Sequence, residues 1–271
     1  MKIIQQVSQT TNQMMGYVVV AKTGEVLAVD GGYQGNGEEL RRVIRKVGGH
    51  VDLWFITHPH DDHYVAVIEA LQEPCDITWD RMGSTFLTDE WGSFLAESDR
   101  KELHVWNEFA ATLDDRLFEV QVGQSFRLGS MLVEILAVSN PELHTHLNDQ
   151  SVVIRVTEDD FVLLFLGDLG EAGGRLLLST GCDLRADAVQ MAHHGQNGVD
   201  EAFYQAVAPR YAFWATPLWL WTNTFPGQAP NSGPFRTLEV REWMERLNVK
   251  NIVDFEHTVC FDTETEATEI F

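Results

Sequence analysis

The sequence predicts an α/β protein in which two mixed sheets pack face to face with helices on their outer sides. Short apolar runs alternate with amphipathic helical stretches in both halves of the chain, paired strands stand beside the helices, and turn residues separate the runs. YVVVA at 17–21 and EVLAVD at 25–30 read as a hairpin around 22–24, ended by Gly31 and Gly32. Residues 38–47 read as a helix stopped by Gly48 and Gly49, 51–57 (VDLWFIT) as a buried strand, and 63–71 as an amphipathic helix. Strand-like runs return at 125–128, 131–138, 151–156 and 161–166. A third alternation follows, with strand 188–192, helix 200–207, strand 211–215, helix 234–247, and strands 250–254 and 257–261. Residues 79–115 carry Trp79, Trp91 and Trp106 among mixed charges, break the rhythm, and read as a mostly helical insertion. No repeat or long linker divides the chain, so residues 1–271 are expected to form one domain.

Composition narrows the function. Apolar residues at 44% can fill a sizeable core, while 41 acidic against 19 basic residues leave a net charge of −22. A polyanion is held by Lys and Arg, so no nucleic-acid partner is expected. The only basic cluster, Arg41, Arg42, Arg45 and Lys46, reads as a solvated helix face. No run approaches the ~20 apolar residues of a membrane span. The first residues lack an apolar leader core, and Cys75, Cys182 and Cys260 are odd in number and far apart. These features together predict a cytoplasmic protein without a membrane partner.

The chemistry concentrates where apolar strands end. Thr57-His58-Pro59-His60-Asp61-Asp62-His63 follows a buried strand and fits H-x-H-x-D-H. His58 and His60, one residue apart, can grip one cation, while Asp62 and His63 turn toward a second. Imidazole and carboxylate ligands of this mix suit Zn²⁺, with Mn²⁺ or Fe²⁺ as alternatives. FVLLFLGD at 161–168 is an apolar strand ending on Asp168, a carboxylate able to bridge two cations. AVQMAHHG at 188–195 ends another strand on His193 and His194; neighbours on a strand face opposite ways, so one ligates and the other faces the substrate. We take His194 as the ligand.

In this order the motifs resemble the metallo-β-lactamase superfamily of metal-dependent hydrolases. Asp30 with Gly31-Gly32 matches its early buried aspartate, and the resemblance runs over nearly the whole chain. NDQSVV at 148–153, followed by FLGD and HHG, is similar to the ComEC-like branch, which includes nuclease-like domains and phosphorylcholine esterases. The resemblance implies a four-layer αββα sandwich with two divalent metal ions at one edge. The superfamily usually places a further histidine before the bridging aspartate; His144 and His146 are the candidates here, with His146 preferred and Asn148 or water as the alternative. His50, His104 and His257 belong to no motif.

A metal pair bridged by Asp168 would lower the pKa of a shared water toward neutrality. Asp62 would orient the nucleophile, His193 would protonate the leaving group, and Asp30 would fix a ligand histidine's tautomer from behind. The Pro- and Asn-rich stretch 212–234 reads either as an apolar loop or dimer contact, compatible with a homo-oligomer, or as a pocket wall. In the second reading Trp214, Trp219, Trp221 and Asn223 line the substrate pocket, and the rings could hold a choline-like cation. The expected activity is hydrolysis of a small phosphoester, most of all a phosphodiester. Lactone, thioester or β-lactam hydrolysis is the alternative, and a non-catalytic binding protein the third reading.

Overall fold

The computed structural model describes residues 1–140 and 146–271. The first part of the chain supplies strands β1 (Lys2–Gln5), β2 (Gly16–Val20), β3 (Val26–Asp30), β4 (His50–Val51), β5 (Leu53–Phe55), β6 (Thr78–Trp79), β7 (Met82–Ser84) and β8 (Leu117–Glu119). Helices α1 (Gly37–Lys46), α2 (Asp61–Ala70) and α3 (Glu97–Ala110) lie among them. The second part supplies β9 (Ser125–Leu128), β10 (Met131–Ala137), β11 (Val153–Glu158), β12 (Phe161–Phe165), β13 (Ala188–Gln190), β14 (Tyr211–Phe213), β15 (Lys250–Ile252), β16 (Val259–Asp262) and β17 (Ala267–Ile270). Its helices are α4 (Glu171–Ser179), α5 (Glu201–Val207), α6 (Leu218–Trp221) and α7 (Thr237–Arg246). No helix among the described residues is long and apolar enough to cross a membrane.

One sheet has the order β17-β16-β1-β2-β3-β5-β7-β8 and the other β15-β14-β13-β12-β11-β10-β9, while β4 and β6 form a small ribbon. Both are mixed: β3, β5, β7 and β8 run parallel, as do β12 to β15, beside antiparallel neighbours. The strand period of two sorts the side chains into layers. Ile3, Tyr17, Leu27 and Phe55 face Ile154, Leu163, Phe165 and Phe213 between the sheets. Their sequence neighbours Ile4, Val18, Ala28 and Trp54 pack outward against α1 and α2 through Leu40, Val43 and Val67. On the far side, Leu164, Val189 and Ala212 pack against Phe203, Tyr204, Trp243 and Met244 of α5 and α7. The result is an αββα sandwich.

The segment 79–115 is only partly the helical insertion expected. It holds α3, but β7 belongs to the first sheet, between β5 and β8. Three residues are too few for a periodic signal, and the strand is specified by its partners. A Cβ on Gly83 would lie 2.7 Å from the Phe55 ring and 2.8 Å from that of Phe118, so only glycine lets these rings close over it. Strand β1, near the middle of that sheet, is equally silent in a four-residue run. The basic cluster on α1 is spent locally: Arg42 pairs with Glu39, Arg45 with Glu38 and Asp76, and Arg41 donates to the carbonyls of Glu69, Ala70, Gln72 and Pro74.

Phe55 is fully buried between the sheets against Phe118 and Phe126. Phe55→Ala should cost about 3–5 kcal/mol, read as a lower urea midpoint at unchanged m-value, because the rigid sheets cannot collapse onto the void.

Candidate metal centre

The carboxyl ends of β3, β5, β12, β13 and β14 meet at one edge of the sandwich, where open sheets with parallel strands leave a crevice. Asp30, the last residue of β3, adopts a left-handed backbone (φ 57°) and is fully buried. Its Oδ1 accepts from the Thr57 amide at 2.8 Å, its Oδ2 from the Thr57 hydroxyl at 2.9 Å, and Oδ2 lies 2.8 Å from His63 Nδ1. Gly31 and Gly32 donate their amides to the His63 carbonyl. The loop after β5 and the first turn of α2 are therefore pinned to the end of β3.

The structure brings His58, His60, Asp62, His63, Asp168 and His194 together. Potential ligand atoms of Asp62, His63, Asp168 and His194 all lie within 4.8 Å of one another, and those of His58, His60 and Asp168 form a second such group. Asp168 is common to both. His58 Nε2 is 3.0 Å from His60 Nδ1, His194 Nε2 is 3.1 Å from Asp62 Oδ2, and His63 Nε2 is 3.3 Å from Asp168 Oδ1. His194 Nδ1 donates to the Ala215 carbonyl at 2.9 Å, which leaves the lone pair on Nε2 in the neutral ring. Three atoms here are buried without a hydrogen-bond partner: His63 Nε2, His194 Nε2 and Asp168 Oδ1. Buried polar atoms are rarely left unpaired. An orphaned nitrogen–nitrogen–oxygen set converging on one point fits a divalent transition metal.

The second histidine motif is a strained turn. His193 (φ 53°), His194 (φ 54°) and Gly195 (φ 74°) are consecutive left-handed residues. Each non-glycine costs roughly 1–2 kcal/mol, offset by anchors that the sequence did not reveal. The His193 amide donates to the Gly167 carbonyl at 3.1 Å, Gln190 bridges the Leu166 amide and the Gly167 carbonyl, and the Thr216 hydroxyl donates to the His194 carbonyl at 2.6 Å. Gln13 was missed as well; its Nε2 donates to Asp62 Oδ2 at 3.0 Å.

Electrostatics favour a cation in this pocket. Burial would raise Asp62 and Asp168, but His63 and His194 outweigh it and hold both carboxyls below the usual range. Burial would likewise lower His63 and His194, but the surrounding carboxylates hold both above the ordinary imidazole value. Burial lowers His58, aided by His63 and His60, and it also lowers His60 and His193. Asp30 is raised by burial, against the opposing pull of His63 and Thr57.

Above the cluster lies a cleft of about 490 Å³ whose lining includes His60, Asp61, Asp62, Asp99, Glu102 and Asp168, without a lysine or arginine. His193 also faces it, one-fifth exposed, with Nε2 3.7 Å from Asp168 Oδ2 and 3.2 Å from Asn148 Nδ2. His146 is not brought to the cluster. It is exposed and lines a separate cleft with Asn148, Gly170 and Arg236, because the turn at 147–150 directs Asn148 rather than His146 toward His193. His144 lies outside the described residues.

The four residues expected in the pocket wall are spread apart: Trp219 lines the metal cleft, and Trp214 and Trp219 both line a neighbouring apolar groove. Trp214 is fully buried under the histidine turn, where a Cβ on Gly195 would come within 2.1 Å of its ring. Trp221 faces away, with Arg241 4.1 Å above its ring. Asn223 is buried and ties its own loop to Asn231 and Gly233. Only Trp219 reaches the metal cleft, and its ring is stacked on Phe225.

Solved structures with this architecture share it over the whole chain. The metallo-beta-lactamase fold protein YhfI from Bacillus subtilis aligns over 97% of this chain and 100% of its own, at 11% identity and a TM-score of 0.56. The chain has the metallo-β-lactamase fold. CmlA, a diiron beta-hydroxylase from Streptomyces venezuelae, aligns over 100% of this chain at 13% identity and a TM-score of 0.59. This chain spans about half of CmlA, 54% of its length. No family model matches the sequence, and no curated protein matches it either. At these identities the likeness concerns the metallo-β-lactamase fold alone.

Two measurements follow from the geometry. His194→Ala and Asp168→Ala should each remove at least one ion per chain in elemental analysis of zinc-loaded protein, while His146→Ala keeps the wild-type content. Asp30→Asn should weaken zinc affinity by about 10–100-fold through the released His63 ring. Stability should also respond to pH through Glu102, which burial, helped by Asp61, Asp62 and Asp99, raises from 4.5 to about 7. The folded metal-free protein then binds this proton more tightly than the unfolded chain, so stability falls as pH rises between those values. Glu102→Gln should stabilise the metal-free protein by about 1 kcal/mol at pH 8, since partial exposure screens the effect, and change nothing at pH 4.

Proposed function

We propose that this protein is a binuclear metal-dependent hydrolase of small esters, with phosphodiesters as the favoured class. The observation that carries the reading is the pair of ligand groups sharing Asp168, with three buried ligand atoms unpartnered. His58, His60 and Asp168 would hold one ion, and Asp62, His63, Asp168 and His194 the other. A bound pair of divalent ions supplies water activation near neutral pH and offsets charge on the oxygen under attack. Asp62, held by Gln13, orients the attacking water. His193 stands at the exposed edge of the centre, where its ring can hand a proton to the leaving oxygen. Asn148 fixes that ring, and Asp30 fixes His63.

The acidic rim supports a substrate of low negative charge. Asp61, Asp99 and Glu102 face the cleft without a compensating Lys or Arg, so a diester with one charge is repelled less than a doubly charged monoester or a polynucleotide. The same rim suits neutral lactones, thioesters or β-lactams, which remain the second reading. A binding protein without catalysis would not require this ligand constellation.

Loaded with Zn²⁺ or Mn²⁺, the protein should hydrolyse bis(p-nitrophenyl) phosphate faster than p-nitrophenyl phosphate, and Asp62→Asn should lower kcat by about 100-fold or more. Turnover of a lactone panel with the diester untouched would move the assignment to carboxyl esters. Inertness of the metal-loaded protein toward both would leave a binding role.

A further inference from the structure

We propose that an apolar groove beside the metal cleft binds a compact apolar group carrying an amide, and that it holds the part of the substrate remote from the reacting ester. The second half of this statement rests on the hydrolase reading; the first does not. The groove has a volume of about 480 Å³, and Gln6, Met14, Leu218, Trp219, Phe225 and Phe255 contribute to its lining. That is the size of a small-molecule site, and its apolar walls with a few polar groups are the usual composition of one.

Gln6 marks what the groove recognises. The residue is 2% exposed, and neither its amide nitrogen nor its amide oxygen has a hydrogen-bond partner. Leaving such a group unpaired in an interior costs roughly 1–3 kcal/mol. The preceding residue provides the contrast. Gln5 donates from Nε2 to the Trp214 carbonyl at 3.0 Å and accepts from the Tyr17 hydroxyl at 3.1 Å. Gln6 offers one donor and one acceptor together, and the complement of that pair is another amide. A ketone or ether satisfies only the donor. Met14 is the cover. Its Cε lies beside the Gln6 amide, at 3.1 Å and 2.8 Å respectively from the place a Cβ on Gly16 would occupy. An unbranched thioether changes rotamer readily, and in this proposal a ligand displaces it to reach the amide.

The groove and the metal cleft share a thin wall. Trp219 lines both, with its ring nitrogen donating to the Thr11 carbonyl at 2.8 Å. Along the short segment 10–14, Thr10, Thr11 and Met14 line the groove, while Asn12 and Gln13 line the cleft. Gln13 is the residue that holds Asp62. A substrate whose ester sits over the metals can therefore lay its apolar arm across Trp219.

The test uses the whole metal-free protein with two probes, hexanamide and 2-heptanone, titrated by calorimetry and by tryptophan fluorescence. Wild type should bind hexanamide about tenfold more tightly than 2-heptanone, the factor that one well-made buried hydrogen bond gives. Gln6→Met should erase that preference, weakening hexanamide by about tenfold more than 2-heptanone, which loses only the bond from the Gln6 amide nitrogen. Leu218→Asp, at an exposed position of the groove that leaves the core intact, should weaken both probes. Equal hexanamide affinity in wild type and Gln6→Met would assign the amide to a buried water and overturn the proposal, as would the absence of saturable binding of either probe to wild type. Because no metal is present, failure of the hydrolase reading would show in the diester assay and leave these affinities unchanged.

Discussion

The buried carboxylate of Asp30 is the constraint from which the rest of the site follows. It sits at the end of β3 in a left-handed conformation and takes hydrogen bonds from both the amide and the hydroxyl of Thr57 while facing His63. A charge in that position is costly unless every lone pair is used. Satisfying it fixes the exit of the chain from β5, and with it the direction of His58 and His60. It also fixes the Nδ1 side of His63, so that Nε2 faces Asp168. The packing of α2 on the sheet and the aim of the ligands are thus two consequences of one interaction. The Trp54 ring nitrogen, donating to the Asp30 carbonyl at 2.9 Å, adds the outer layer to the same anchor.

The other half of the centre is organised by strain and its supports. Two left-handed histidines in succession would not persist in an isolated peptide. They persist here because Gly195 lies flat on the Trp214 ring and because Gln190 and Thr216 hold the carbonyls around the turn. Trp214 therefore serves the site without touching the cleft. Strong electrostatic frustration among Asp62, Asp168, His63 and His194 accompanies this geometry. Proteins tolerate such local conflict where function requires it.

Much of this was legible in the sequence, for reasons that can be named. Strands such as 161–165 and the hairpin 16–30 announced themselves because one face lies between the sheets and the other under helices, giving long apolar runs with turn punctuation. The ligands could be read because they follow directly from strand ends, where spacing along the chain translates into position in space. What stayed hidden depends on contacts distant in sequence. β7 is three residues long and exists through Phe55 and Phe118. Gln13 reaches Asp62 from 49 positions away. Richness in aromatic residues at 214–221 did not say which way each ring faces: Trp214 packs under the histidine turn, Trp219 lines the cleft, and Trp221 lies under Arg241. His146 failed for the same reason, since one turn of backbone gave the place beside His193 to Asn148.

Fold likeness does not choose a reaction. The same architecture is found in a diiron beta-hydroxylase, and a fold shared at 13% identity carries no substrate with it. The choice must come from groups that differ locally, and here they are few. Asn148 sits beside His193, and its neutral amide oxygen is a harder donor to a transition metal than an imidazole nitrogen, though the side chain can steer His193. The cleft rim carries Asp61, Asp99 and Glu102, each of which raises the cost of bringing another anion to the metals. On the other side of Trp219 the wall turns apolar. A charged end and an oily end separated by one indole ring suit the substrate proposed above, with a compact reacting ester and an uncharged body.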